Sequence, residues 1–207
     1  MHNNYSLPID DYPANHNAVK NILKFLNAKS ILVLPRQPTG PAGNCYWNVH
    51  KTVLAHGGNM VLGWMLEWRP NLIIEAMHHA VYRFDTGEMV DITAPDGQRR
   101  QSFTTFVPSD EITIDLNTCP QIPRRHYPLV QDKDLTRYLY LYNKNHQAHS
   151  DLTQGLIASN NAIVVEGQVR GNGRITAELE RRLKPIIEST AEERSKLRIK
   201  LYQRYYS

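Results

Sequence analysis

The first half of the chain carries three residues whose types could share a nucleophilic reaction, Cys45, His79 and Asp91. A thiol near its reference pKa of about 8.5 is mostly protonated at neutral pH, and the thiolate is the nucleophile. A helix N-terminus and a neighbouring imidazolium both lower a thiol pKa. A carboxylate that accepts a hydrogen bond from the imidazole stabilises its charged form. We therefore expect Cys45 to act as nucleophile, His79 as base and Asp91 as the group that orients the histidine.

The sequence around Cys45 predicts that this residue opens a helix. Residues 35–44 contain three prolines and two glycines, a composition typical of a loop. The apolar residues that follow at helical spacing are Val49, Val53 and Leu54. The Gly57-Gly58 pair then ends the pattern, as glycines often end helices. We expect Cys45 in the first helical turn, beside an open loop through which a substrate can approach.

Three strand candidates follow, at residues 59–68, 75–84 and 88–93. The last two flank Asp85-Thr86-Gly87, which favours a tight hairpin turn. The three strands are expected to form an antiparallel meander packed on the helix.

The second of these strands contains two adjacent histidines. Alternation along a strand puts His78 and His79 on opposite faces, so only one of them can face Cys45. The hairpin brings Asp91, on the next strand, close to His79.

Two segments resemble the papain-like and transglutaminase-like superfamily of cysteine enzymes. The stretch HAVYRFDTGEMVDITAP, residues 79–95, resembles the hairpin that carries the His and Asp of these families. The stretch NCYWNV, residues 44–49, resembles their nucleophile segment, and the chain order Cys, His, Asp is the same. The resemblance covers about residues 35–95. Val81 stands where these families usually have an aromatic residue.

The resemblance implies an α+β fold in which a nucleophile-bearing helix packs on an antiparallel sheet, followed here by C-terminal helices. It implies a thiol-dependent hydrolase or acyl transferase acting on an amide or peptide bond. In these families the imidazole precedes Ala-Val or Ala-Trp, which assigns the role to His79. Papain-like members place a Gln upstream of the Cys as an oxyanion donor, and Gln37 lies eight positions before Cys45. The Cys45 backbone N–H is the other expected donor.

The rest of the chain gives weaker patterns. We expect a single domain over residues 1–207, in which about residues 172–207 form a helical appendage. A short strand is expected at residues 30–34, ended by Pro35, and another at residues 162–169. Residues 134–145 predict a helix. A further helix with a kink at Pro185 precedes a last helix that begins at Ser189, which forms a capping box with Glu192.

Composition limits the remaining possibilities. The chain has 207 residues and a formal net charge of +4, which is weak evidence for nucleic-acid binding. Its two cysteines cannot form a disulfide scaffold, and Cys119 is read as structural. No signal peptide and no membrane span are recognised, so a cytoplasmic protein is expected, although export without a cleaved signal stays open. The sequence predicts no cofactor and no metal site, and it favours a protein or peptide substrate.

An alternative is a binding module that keeps this fold without catalysis. Basic residues lie at positions 194, 196, 198, 200 and 204, with tyrosines at 202, 205 and 206, and such a helix could contact a protein or a nucleic acid. A solvated helix face is the more ordinary interpretation of this run. Hydrolysis, deamidation, transamidation and acyl transfer are not separated by the sequence.

Overall fold

The computed structural model describes residues 6–95 and 102–207. Within this part of the chain there are two compact units. The barrel unit contains the described residues of 9–116 and 124–127, and the helical unit contains residues 6–8, 117–123 and 128–207. The helical unit thus begins well before residue 172, where the sequence pattern placed the start of an appendage.

The barrel unit is built mainly of strands, with two helices between them. Its elements are β1 (Asp10–Asp11), α1 (Val19–Phe25), β2 (Leu32–Gly40), α2 (Cys45–His56), β3 (Asn59–Arg69), β4 (Ile73–Arg83), β5 (Met89–Thr93), β6 (Phe103–Pro108) and β7 (Arg125–Pro128).

Five of these strands close on themselves. They follow the order β3-β6-β2-β5-β4, and β4 pairs back with β3 along its whole length. The meander β3-β4-β5 is antiparallel, as the sequence predicts. However, the sheet is not antiparallel throughout, because β2 runs parallel to β5. The sheet is therefore a mixed, five-stranded barrel, with β1 paired to β3 and β7 beside β4.

Strand β2 is longer than its prolines suggested. The prediction of a loop over residues 35–44 is wrong as far as Gly40, because β2 runs from Leu32 to Gly40. Pro35 is the last β2 residue in the ladder to β6. Pro38 lies where the ladder to β5 is irregular, between Arg36 and Gly40. Prolines are tolerated at such ends and bulges because no ladder N–H is needed there.

The barrel has an apolar core that continues into a polar group of side chains. The core cluster is Leu34, Val81 and Phe106, with Leu32, Val61 and Met89 packed against it. Residues two positions apart on a strand face the same way. Two positions along each strand from a residue of this cluster lie Arg36 on β2, His79 on β4, Asp91 on β5 and Thr104 on β6. All four are buried. The pattern that builds the core therefore also gathers four polar side chains.

Helix α2 packs against β4 and is held at both ends. Near its start, the Tyr46 hydroxyl hydrogen-bonds to Nδ1 of His78 at 2.8 Å. At its end, the Tyr82 hydroxyl donates to the carbonyl oxygen of Gly57 at 2.9 Å. Gly57 adopts a φ of 75°, a conformation that favours glycine and lets the chain leave the helix. These contacts fix α2, and with it Cys45, along β4.

The helical unit contains two long helices and a hairpin. Its elements are α3 (Lys133–Ala158), β8 (Ala162–Val165), β9 (Gln168–Gly171) and α4 (Ala177–Tyr205). Helices α3 and α4 pack through Ala148, Leu179 and Leu183. The amide of Asn145 donates to the Thr190 hydroxyl at 2.8 Å.

Three predictions for this unit need correction. Helix α3 extends beyond residue 145 to Ala158. The strand expected at residues 162–169 is a hairpin, because Glu166 and Gly167 both have positive φ and form its turn. The separate last helix expected to begin at Ser189 is not formed, because α4 continues through Ser189 with Pro185 inside it. The Ser189 hydroxyl donates to the carbonyl oxygen of Pro185 at 2.6 Å instead of capping a new helix.

Gly63 allows β3 and β6 to approach closely, which gives a test of the barrel. A Cβ at this position would lie 2.2 Å from the Val107 carbonyl oxygen, a backbone atom that cannot move aside. We expect Gly63→Ala to lower the free energy of unfolding by more than about 2 kcal/mol. Urea titration would measure this change. Gly171→Ala is the control, since its Cβ would meet nothing closer than 3.6 Å, and equal stabilities of the two variants would contradict the account.

Candidate active site

Cys45 is the first residue of α2 and is half-buried, at the position that the sequence predicts. The N–H groups of a first helical turn have no partner within the helix and carry partial positive charge. The side chain of the preceding residue, Asn44, makes no capping hydrogen bond to them, and no acidic residue lies in the first turn. The electrostatic field of the helix end is therefore directed at the Cys45 thiol and its surroundings.

His79 lies between Cys45 and Asp91. Its Nε2 donates to Oδ1 of Asp91 at 3.1 Å, and the Cys45 thiol lies close enough to the imidazole to stabilise its charged form. Since Asp91 engages Nε2, Nδ1 is the ring nitrogen left for Cys45. Burial opposes a charge on His79, but the negative charge of Cys45 and the hydrogen bond to Asp91 outweigh it and raise the pKa of His79 to about 10. The imidazole is thus held in its charged form at neutral pH.

The neighbouring His78 has a different environment on the opposite face of β4. Its ring contacts Trp64 edge-on, with centroids 5.1 Å apart, and hydrogen-bonds to Tyr46. Burial, aided by the positive charges of His79 and Arg125, lowers the pKa of His78 to about 4. His78 is therefore neutral near pH 7, and its hydrogen bond to Tyr46 helps to hold α2 against β4.

Asp91 is 1% exposed and yet surrounded by donors. Oδ1 accepts from the Thr93 backbone N–H at 3.0 Å as well as from His79, and Oδ2 accepts from the Thr104 hydroxyl at 2.6 Å. Burial would raise the pKa of Asp91, but the hydrogen bonds and the charge of His79 lower it below its usual range. Asp91 consequently remains ionised and can stabilise the imidazolium.

Sequence reasoning missed the side chains behind Asp91. Arg36 makes a two-pronged contact with Asp11, Nη2 to Oδ1 at 3.2 Å and Nη1 to Oδ2 at 3.4 Å. Its Nε lies 3.7 Å from Oδ2 of Asp91. The sequence pattern placed Arg36 in a loop, and Asp11 belongs to the two-residue strand β1. The one available signal was that Arg36 continues the alternation of Leu32 and Leu34.

Gln37, the proposed oxyanion donor, is not brought to this group. It is exposed on β2, and strand alternation turns it to the face opposite the buried Arg36. The expectation placed Gln37 in a loop, but the chain there is extended, as part of β2. The backbone N–H groups of the first α2 turn, including that of Cys45, remain as the candidate oxyanion donors.

Asn48 ties the first turn of α2 to the rest of the site. Its Nδ2 donates to the Pro41 carbonyl oxygen at 2.9 Å and to the Thr93 hydroxyl at 3.1 Å. Gly40 lies directly against this amide, where a Cβ would come within 2.3 Å of it. Asn48 thus fixes the distance between the Cys45 turn and the strand that carries Asp91.

The second cysteine is not part of this group. Cys119 lies in the helical unit, where the Gln121 amide donates to its sulfur at 3.2 Å. Both cysteines are free. Among residues 6–95 and 102–207, no three His, Cys, Asp or Glu side chains are grouped so that they could hold a metal ion. In the same residues, no helix combines the length and the apolar character needed to cross a membrane.

Comparisons with protein-family models, with curated proteins and with solved structures find no match for this chain.

The lowered pKa of Asp91 has a consequence for stability. A carboxyl whose pKa is lower in the folded than in the unfolded state contributes stability above its unfolded pKa, about 3.9 for Asp, and loses it as the pH falls. We expect the wild type to exceed Asp91→Asn in free energy of unfolding at pH 7, and this difference to shrink below about pH 4. Urea titrations across this range measure it. A difference that stays constant down to about pH 2 would mean that Asp91 is not stabilised as an anion.

Proposed function

We propose that this protein is a thiol-dependent hydrolase or acyl transferase that acts on an amide or peptide bond. The observation that carries the proposal is the buried His79 imidazole, which is hydrogen-bonded to Asp91 and whose charged form is stabilised by the neighbouring Cys45. Nucleophile, base and orienting carboxylate in this arrangement are what acyl transfer through a thiol requires. The chain order Cys, His, Asp, with the Cys at the start of a helix packed on a sheet, supports assignment to the papain-like and transglutaminase-like enzymes.

The reaction would proceed through a thioester. The Cys45 thiolate attacks the carbonyl carbon, and the N–H groups at the start of α2 stabilise the resulting oxyanion. His79 then gives its proton to the leaving nitrogen as the carbon–nitrogen bond breaks, which leaves an acyl-Cys45 thioester. Water, or an amine, loses a proton to His79 and attacks the thioester, which releases the product and restores the thiolate–imidazolium pair. Asp91 keeps the imidazole oriented throughout.

A protein or peptide substrate fits this chemistry, and both free cysteines suit a reducing compartment such as the cytoplasm. The alternative of an inactive module that binds through its basic helix has less support. In α4, Lys196 pairs with Glu192, and Arg204 pairs with Asp132 and Asp134. Carboxylates of the same unit therefore pair with two of the five basic residues of this run.

The proposal predicts that Cys45 is far more reactive than Cys119. A thiol held beside an imidazolium is alkylated at a pH at which an ordinary thiol is protonated. We expect brief iodoacetamide treatment at about pH 6 to label Cys45 selectively, as read by peptide mass spectrometry. His79→Gln should abolish the preference, whereas the control His56→Gln, at the exposed end of α2, should keep it. Equal labelling of both cysteines in the wild type would contradict the proposal.

A second prediction concerns turnover. With p-nitrophenyl acetate, we expect an acetyl group on Cys45 in the intact mass spectrum, followed by its hydrolysis. Asp91→Asn should keep the fold but lower turnover by orders of magnitude, since the same change in serine-protease triads costs about 10⁴ in kcat. Circular dichroism provides the folding control. Unchanged turnover in a folded Asp91→Asn protein would remove Asp91 from the mechanism, and acetylation elsewhere with none on Cys45 would refute the assignment.

A further inference from the structure

We propose that the buried Asp11–Arg36 ion pair helps to keep the His79 imidazole charged. Asp11 neutralises the positive charge of Arg36, so that the negative charge of Asp91 stabilises the His79 imidazolium. The inference rests on the proposed function and assigns two positioning residues to it. Neither residue touches Cys45 or His79 in the contacts described above, and both would act through Asp91.

The geometry places Arg36 between two carboxylates. Both terminal nitrogens of its guanidinium face Asp11, at 3.2 and 3.4 Å, whereas Nε lies 3.7 Å from Oδ2 of Asp91. The side chains of Arg36, Asp11 and Asp91 are 2%, 0% and 1% exposed. Without water to screen them, charges at these separations interact much more strongly than on a surface. The shorter, paired contact assigns the guanidinium charge to Asp11.

Asp11 is held in place by the backbone on either side of it. It pairs with Glu67 in the two-residue strand β1. The next residue, Tyr12, donates its N–H to the Leu66 carbonyl oxygen at 3.0 Å and accepts from the Thr105 hydroxyl at 2.5 Å. Three strands of the barrel unit, β1, β3 and β6, are therefore used to fix one carboxylate beside Arg36.

Charge balance explains why this carboxylate matters. Among the described residues, the charged groups that face Asp91 are His79 and Arg36, and those that face His79 are Asp91 and Cys45; His78 on the same strand is neutral. Without the negative charge of Asp11, the positive charge of Arg36 would compete with the imidazolium for Asp91. It would also repel the imidazolium. The Asp11–Arg36 pair is neutral as a unit, so that Asp91 acts on His79 with nearly its full charge.

Stability alone gives little reason to keep such a pair. Buried ion pairs can often be replaced by uncharged groups of similar size at little cost, whereas removal of one partner leaves an unpaired charge. A double substitution that removes both charges can therefore fold, and it separates an electrostatic role from a structural one.

The test measures the protonation of His79 directly in the full chain. Nitrogen-15 NMR of histidine-labelled protein reports whether both ring nitrogens carry protons, and the His79 signals are assigned by their loss in His79→Gln. Asp11→Asn should lower the pH at which His79 loses its proton by about one unit or more, because it removes the negative charge that pairs with both terminal nitrogens of Arg36. Asp11→Asn combined with Arg36→Met should return the titration to the wild-type position. Asp85→Asn, in the exposed turn between β4 and β5, removes a carboxylate of the same unit and is the control that should leave the His79 titration unchanged.

Each outcome decides the inference. A folded Asp11→Asn protein in which His79 titrates as in the wild type overturns it. A double variant in which His79 titrates at no higher pH than in Asp11→Asn also overturns it, because a purely structural role of the pair predicts that result. If Asp11→Asn does not fold, Arg36→Met serves instead: it removes the positive charge, so a fall in the His79 titration would overturn the inference. If Cys45 still forms the thioester in any of these cases, the proposed function stands without this addition.

Discussion

The hydrogen bond between the His79 imidazole and the Asp91 carboxylate is the interaction on which the rest of the site depends. Both groups are buried, and burial alone disfavours the charged form of each. They stay charged because the negative charge of Cys45 also raises the pKa of His79, because each compensates the other, and because Thr104 and the Thr93 N–H also donate to Asp91. A neutral imidazole in the same place could not stabilise a thiolate at Cys45, so the proposed role of Cys45 depends on the contact between His79 and Asp91.

The barrel supplies this contact from regular elements. Adjacent strands β4 and β5 carry His79 and Asp91, β6 carries Thr104, and α2 brings Cys45 to the same place. Helix α2 is held by Tyr46 and by Asn48, which joins its first turn to β5. Side chains on packed helices and strands keep their geometry better than side chains on loops. The site therefore needs no loop movement to bring its three reactive groups together.

Local signals in the sequence were enough for part of this site. Cys45 opens a helix because a loop precedes it and helical spacing follows, and the hairpin that joins His79 to Asp91 follows from its turn residues. Arg36, Asp11 and Thr104 were missed because strands far apart in the chain bring them together, and nothing local specifies such pairing. The prediction for Gln37 was wrong for a related reason. Strand β2 continues past Pro35 because its two prolines lie at the end of the ladder to β6 and at an irregularity in the ladder to β5, and these strand pairings are not visible in the local sequence.

The central claim is that the buried imidazolium holds Cys45 as a thiolate where an ordinary thiol is protonated. Ultraviolet absorbance of the thiolate tests it most directly, with Cys119→Ser as the background so that Cys45 is the single thiol. The account predicts a thiolate band at about pH 6 that is absent from the Cys45→Ser and His79→Gln versions of this protein. A band that appears in the wild type only near pH 8.5, as for a free thiol, or one that persists unchanged in His79→Gln, would contradict the account.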